Sequence, residues 1–127
     1  MSSRPILSPS QVITVGDMSQ STVTSKVTII QNMTQIGYDI SWSGGNGSTA
    51  GTFAVQVSNT YSQNADGTVA NAGNWTSLTL SNVPTVATSS GNGYIDIDSI
   101  SAYAMRLVYT KSGGIGTLNA TVCGKVA

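Results

Sequence analysis

The chain has 127 residues, about one domain's worth, and half of them are Ser, Thr, Gly, Asn or Gln. Only 8% are charged, with five acids, five bases, a net charge of zero, no Glu and no His. That balance excludes a coiled coil, an acidic tail and a basic nucleic-acid arm, and it removes the commonest residues of hydrolytic and zinc-site chemistry.

Residues 1–10, with two prolines and four serines, read as an extended arm preceding a single β-sandwich domain over 11–127. The arm has one basic residue and no apolar core of a secretory signal. No run approaches the roughly 18 apolar residues of a membrane span. The expectation is a chain made in the cytosol, leaving it only as part of a larger particle, with neither membrane nor nucleic acid as partner.

Beyond the arm the hydrophobic period becomes two. A first strand is expected around Val12 to Val15. Val23, Val27 and Ile29 form the apolar side of the next run, with Ser25 among them, followed by Ile36, Tyr38, Ile40 and Trp42. Phe53, Val55 and Val57 follow, then Leu78 and Leu80, and then Ile95 and Ile97 against Asp96 and Asp98. Met105, Leu107 and Tyr109 come next, and Leu118, Ala120 and Val122 alternate with Asn119, Thr121 and Cys123. Such alternation, rich in β-branched residues, predicts half-buried strands. Gly44-Gly45-Asn46-Gly47, Asp66-Gly67, Gly91-Asn92-Gly93 and Gly113-Gly114 are the expected turns. About eight such strands, each with one apolar face, must close on themselves. The fold expected is an all-β, antiparallel, jelly-roll-like sandwich.

Several constellations bear on chemistry. The many Ser and Thr hydroxyls have no His or Glu to activate them, and Val23, Val108 and Val122 stand where a Ser-x-x-Lys pair would need serine. Asp96 and Asp98 share one face of a strand about 7 Å apart, opposite Ile95 and Ile97, so they read as solvent-facing carboxylates rather than a glycosidase pair. With Asn92 they could offer oxygen to calcium, but the twelve-residue loop signature is absent. Cys123 is the only cysteine, so no internal disulfide forms. Its expected role is that of a small buried apolar residue. No catalytic residue, cofactor or metal ligand is assigned.

Recognition therefore falls to aromatic residues and to the arm. Tyr38, Trp42, Phe53 and Tyr109 lie on apolar faces and are expected in the core. Tyr61, Trp75 and Tyr94 lie in or beside loops and, with Arg4, Pro5, Ile6 and Leu7 of the arm, are the candidate partner contacts. Ser58 to Asn74 is the longest break in the alternation, either a long loop with its aromatic groups folded down or a loop that docks a partner. Arg106, among apolar strand neighbours, is expected to reach a carboxylate or carbonyl.

The segments Gly51-Thr52-Phe53-Ala54-Val55-Gln56-Val57-Ser58-Asn59, Asn74-Trp75-Thr76-Ser77-Leu78 and Tyr94-Ile95-Asp96-Ile97 carry a resemblance, continued by Tyr103-Ala104-Met105-Arg106-Leu107-Val108-Tyr109-Thr110 and Ser112-Gly113-Gly114-Ile115-Gly116-Thr117-Leu118-Asn119-Ala120. Over roughly residues 50–125 this order of strands and turns is similar to small tailed-bacteriophage virion proteins of the head-decoration (cement) type. The resemblance implies a non-enzymatic structural protein of the virion, assembled in the host cytoplasm. Its implied partners are the major capsid protein or other virion proteins, and its own copies as a homo-oligomer. A tail- or fibre-associated module and a carbohydrate-binding sandwich are the alternatives. Tyr103, Arg106, Leu107 and Tyr109 also resemble a strand of discoidin-like jelly rolls, which bind sugars or lipids. The scarcity of charge suggests edges without the usual electrostatic protection, and hence an assembled working state.

Overall fold

A computed structural model describes residues 6–31, 33–98 and 100–125. Twelve strands and no helix are found among them. The long strands follow the predicted alternation. They are β1 (Ile6–Asp17), β4 (Gln35–Ser43), β5 (Ala50–Ser58), β10 (Gly91–Asp98), β11 (Ala104–Gly113) and β12 (Thr117–Lys125). Six short strands complete the set: β2 (Thr22–Thr24), β3 (Thr28–Ile29), β6 (Ser62–Gln63), β7 (Val69–Asn71), β8 (Thr76–Ser77) and β9 (Thr85–Val86).

One sheet has the order β1-β12-β4-β10; the other runs β2-β11-β5-β8, with β3 also on β11 and β9 also on β5. Every pairing is antiparallel. Taking β2 with β3 and β8 with β9 as interrupted strands leaves eight principal ones, with β6-β7 a hairpin inserted after β5. These eight are nested: first with last, second with seventh, third with sixth, fourth with fifth. That is a jelly roll, one long antiparallel ribbon rolled so that its two halves face each other.

The difference between about eight strands and twelve has local causes. The run from Val23 to Ile29 breaks at Ser25, a buried residue whose hydroxyl oxygen accepts the Leu107 N–H at 2.8 Å. The next N–H, Lys26, turns across to the Val12 carbonyl at 2.9 Å. Leu78 and Leu80 are not strand residues: Leu78 N–H still bonds Val55 O at 2.8 Å, after which the chain leaves β5 until β9. Gly91-Asn92-Gly93 is not a turn but part of β10, opposite Trp42, Ser41 and Ile40. Its glycines serve close approach, since a Cβ at Gly91 would lie 2.7 Å from the Trp42 ring and one at Gly93 2.7 Å from Pro84.

Half of the expected arm is a strand, and residues 1–5 lie outside the described residues. Ile6 pairs with Lys125, Leu7 with Gly124 and Ser10 with Val122, so 6–10 already belong to β1. Extended backbone suited to an arm is equally suited to a strand once β12 offers a free edge.

Between the sheets lie Tyr38, Ile40, Trp42, Ile95, Leu118 and Val122 from one side and Phe53, Val55, Met105, Leu107 and Tyr109 from the other. The aromatic residues expected in the core are there; Phe53 bridges Trp42 and Tyr109, with centroids 6.2 and 5.2 Å away.

Both edges of the four-stranded sheet are protected, contrary to the inference from low charge. β1 carries Pro9 and three register shifts, and β10 carries exposed Asp96 and Asp98. Irregularity on one edge and charge on the other discourage strand pairing with a second chain. Few charges suffice when two of them stand on the edge.

Candidate functional site

The antiparallel register stacks the outward residues of β10, β4 and β12 in rows. Tyr94, Asp39 and Thr121 form one; Asp96, Gly37 and Cys123 the next; Asp98, Gln35 and Lys125 the third. Three of the chain's five acids therefore share one face, with Lys125 at its end. Tyr94 is 53% exposed, yet its ring is not free. A Cβ on Gly37 would sit 2.0 Å from Tyr94 Oη, so the ring lies across β4 in space that only glycine leaves open. Its hydroxyl reaches the Cys123 thiol on β12. Burial of the hydroxyl, then the thiol and the carboxylates of Asp96 and Asp39, hold the phenol above the ordinary tyrosine range. Beside the ring, an open groove of about 530 Å³ is lined by Gln35, Asp96, Asp98, Cys123 and Lys125.

Cys123 is thus half-buried on the outer face, not in the core as expected. Its parity with Asn119 and Thr121 indicates the polar side, and that parity outweighs its apolar character. The face offers three acceptor carboxylates, amide and ammonium donors and one aromatic surface. These are the elements of polar recognition, not of nucleophilic attack. Among the described residues, no three His, Cys, Asp or Glu side chains gather closely enough to hold a metal ion. Asn92 pairs with Ser41, beyond the Tyr94 row, which separates it from Asp96 and Asp98.

A second cluster occupies the outer face of the other sheet. Arg106 on β11 pairs with Gln56 on β5, and its Nε donates to Gln56 Oε1 at 2.8 Å. The partner is therefore a carbonyl of the side-chain kind. The guanidinium carbon lies 4.2 Å from the centroid of Trp75, which is itself fixed by an Nε1–H bond to Ala72 O at 2.8 Å. Partial burial holds Arg106 below the ordinary arginine range.

The chain between β5 and β8 builds this cluster. Ser58 Oγ accepts from the N–H groups of Thr60 and Tyr61, and Asn74 N–H bonds Thr60 Oγ1 at 2.7 Å, closing the neck. At its tip, Asp66 Oδ1 accepts the Thr68 N–H and Gly67 has φ +89°, as the expected Asp-Gly turn requires.

The sequence-derived contacts are thereby sorted. Tyr61 is 6% exposed, its ring tilted 55° against Trp75 with centroids 5.7 Å apart, and its hydroxyl accepts from Gln63 Nε2. It anchors the loop and presents no ring to a partner, a correction that follows from the closed neck. Trp75 is half-buried under Arg106, and Tyr94 alone of the three is exposed. Arg4 and Pro5 lie outside the described residues, while the backbones of Ile6 and Leu7 are engaged with β12. Gly37, Asp39 and Gln56 were not singled out from the sequence. Strand parity could have placed them outward, but only the register shows what each one meets. Comparison with family models, with curated proteins and with solved structures finds no match to this chain.

Proposed function

We propose that the chain is a structural virion protein, a head-decoration module that seats on a phage capsid shell without catalysing a reaction. Jelly rolls serve capsid and lectin domains alike, so the fold alone does not choose between them. The observation that carries the reading is the outer face of β10, β4 and β12. There a pinned, exposed Tyr94 stands among Asp39, Asp96 and Asp98 beside an open groove, the pattern of an aromatic anchor within a polar rim. The virion assignment itself comes from the resemblance over residues 50–125, which supplies the major capsid protein as partner and association of several copies as the working state.

Purified shells lacking the protein test this. They should rebind it at fixed stoichiometry and withstand higher temperature, and Tyr94→Ser should weaken binding at least tenfold, the equivalent of about 1.4 kcal/mol. Shells that neither bind the chain nor gain heat resistance would sink the proposal. Deletion of residues 1–5, the part of the expected arm outside the described residues, should weaken rebinding while leaving the fold intact.

The same face supports one second reading, a carbohydrate-binding module, because a tyrosine beside carboxylate and amide groups also suits a sugar ring. A glycan panel that shifts the Tyr94 resonances in the unsubstituted chain but has no effect on Tyr94→Ser would favour it over the shell.

A further inference from the structure

The cluster on the opposite sheet has a feature that loop anchoring does not require. Arg106 carries five N–H donors, and only the one on Nε has a partner among the described residues. The sole buried, unpartnered side-chain polar atom among those residues is Tyr38 Oη, so both Arg106 Nη groups reach solvent. The guanidinium is nevertheless held firmly. Gln56 fixes its edge, Trp75 fixes its plane, and Tyr61 and the Ala72 carbonyl fix Trp75. An arginine usually loses side-chain entropy when it forms a fork with an anion. Here that ordering is already done.

We infer that Arg106 is a preorganised receptor for a carboxylate side chain of another protein chain, gripped by the two free Nη groups above Trp75. The planar fork matches a carboxylate's two oxygens, and partial desolvation strengthens the charge-assisted bonds. A phosphate is the poorer match, because the two side chains that hold the guanidinium, Gln56 and Trp75, are neutral. Lys111 donates to Ser19 O, and Lys125 lies on the other sheet. Lys26, exposed between β2 and β3 beside β11, is the remaining described lysine, and the phosphate titration tests whether it joins Arg106 in binding an anion. This site is separate from the Tyr94 face and does not depend on the shell as partner.

The chain's composition makes the test direct, since it holds two arginines, Arg4 and Arg106, and two tryptophans, Trp42 and Trp75. In nitrogen-labelled protein, sodium acetate is titrated against sodium chloride and sodium phosphate at matched ionic strength. Acetate should move the Arg106 Nε–H and Trp75 Nε1–H resonances along a saturating curve while chloride leaves them in place. Arg106→Lys keeps the charge but loses the fork, and should abolish the Trp75 shift. Gln56→Ala, which releases Nε, should displace the curve to higher acetate. Trp42, whose indole donates to Thr88 O, reports that each variant is folded. Equal movement in chloride and acetate, a stronger response to phosphate, or an unchanged Trp75 response in Arg106→Lys would overturn the inference. The source of the carboxylate is read in the same spectra. Shifts that grow with protein concentration, and vanish in Asp96→Asn/Asp98→Asn, assign it to a second copy. Resonances that stay in place on dilution without acetate, while still responding to acetate, exclude a second copy and leave a different protein as the source.

Discussion

Two tyrosines at the centre of the jelly roll should respond with opposite sign to the same substitution. Tyr38 and Tyr109 are both 0% exposed. Tyr109 Oη donates to Ala50 O at 3.0 Å, whereas Tyr38 Oη is buried with no partner. Leaving a buried hydroxyl unsatisfied costs about 1–3 kcal/mol, while a made hydrogen bond is worth about 0.5–1.5 kcal/mol net. Tyr38→Phe removes the penalty and leaves a void of one oxygen atom, so a net gain near 1 kcal/mol is expected, or about 3–5 °C in melting temperature for a chain of this size. Tyr109→Phe should lose about 1 kcal/mol.

Urea denaturation and calorimetry of the pair decide the matter. A Tyr38→Phe chain destabilised as much as Tyr109→Phe would refute the reasoning and show that a buried water satisfies the hydroxyl. The alkaline limb gives an independent reading. Burial pushes the Tyr38 phenol far above its usual range, while in the unfolded chain it ionises near pH ~10. Above that pH the native state holds a proton that the unfolded state has released, so stability falls as pH rises, by up to about 1.4 kcal/mol per pH unit for one such group. Tyr38→Phe should remove one proton from that slope.

Other substitutions probe the surfaces. A Cβ at Gly51 would lie 2.3 Å from Tyr109 Oη, and one at Gly37 2.0 Å from Tyr94 Oη. The enclosed Tyr109 cannot yield, so Gly51→Ala should cost about 1–3 kcal/mol in a denaturant melt. The exposed Tyr94 can swing away, so Gly37→Ala should stay within about 1 kcal/mol while returning the phenol toward its ordinary pKa by absorbance titration. Comparable losses at both sites would contradict this. Val15 is a β-branched residue at φ +52° and 69% exposed. Val15→Gly should gain about 0.5–1 kcal/mol, because relief of the left-handed strain exceeds the glycine entropy cost. A loss on denaturation would show that the valine side chain makes a stabilising contact. Trp75→Ala removes the clasp on Arg106 and Tyr61, so proteolytic cutting within residues 62–74 should accelerate while the Trp42 resonance stays native. An unchanged cutting rate would mean that the neck alone holds the loop.

The readings that came through intact concern residues close together in the chain. Ile36 to Trp42, Phe53 to Val57, Met105 to Tyr109 and Leu118 to Val122 are strands because a period of two puts their apolar groups on one side, which can be counted in the sequence. The Asp66-Gly67 turn was legible for the same reason. Where the reading failed, the deciding neighbour was remote. Gly91 and Gly93 looked like turn formers, yet Trp42 and Pro84 press on them inside a strand. Ser25 interrupts its strand because Leu107 takes its hydroxyl.

The site divides along the same line. Parity alone put Asp96 and Asp98 on the polar side, whereas the expected burial of Cys123 went against its own parity, and composition alone made the chain neutral and short of charge. Neither states that β10, β4 and β12 would align in the register that lays Tyr94 over Gly37 and against Cys123. Neither states that a closed loop would bury Tyr61 and bring Trp75 onto Arg106. Alternation follows from the geometry of a single extended backbone, so it is written locally. Which faces meet depends on rolling the ribbon so that β1 pairs with β12 and β4 with β10, contacts between residues about a hundred and about fifty positions apart. Only the packed core sets that register, since a slip of one residue would turn every apolar side chain outward.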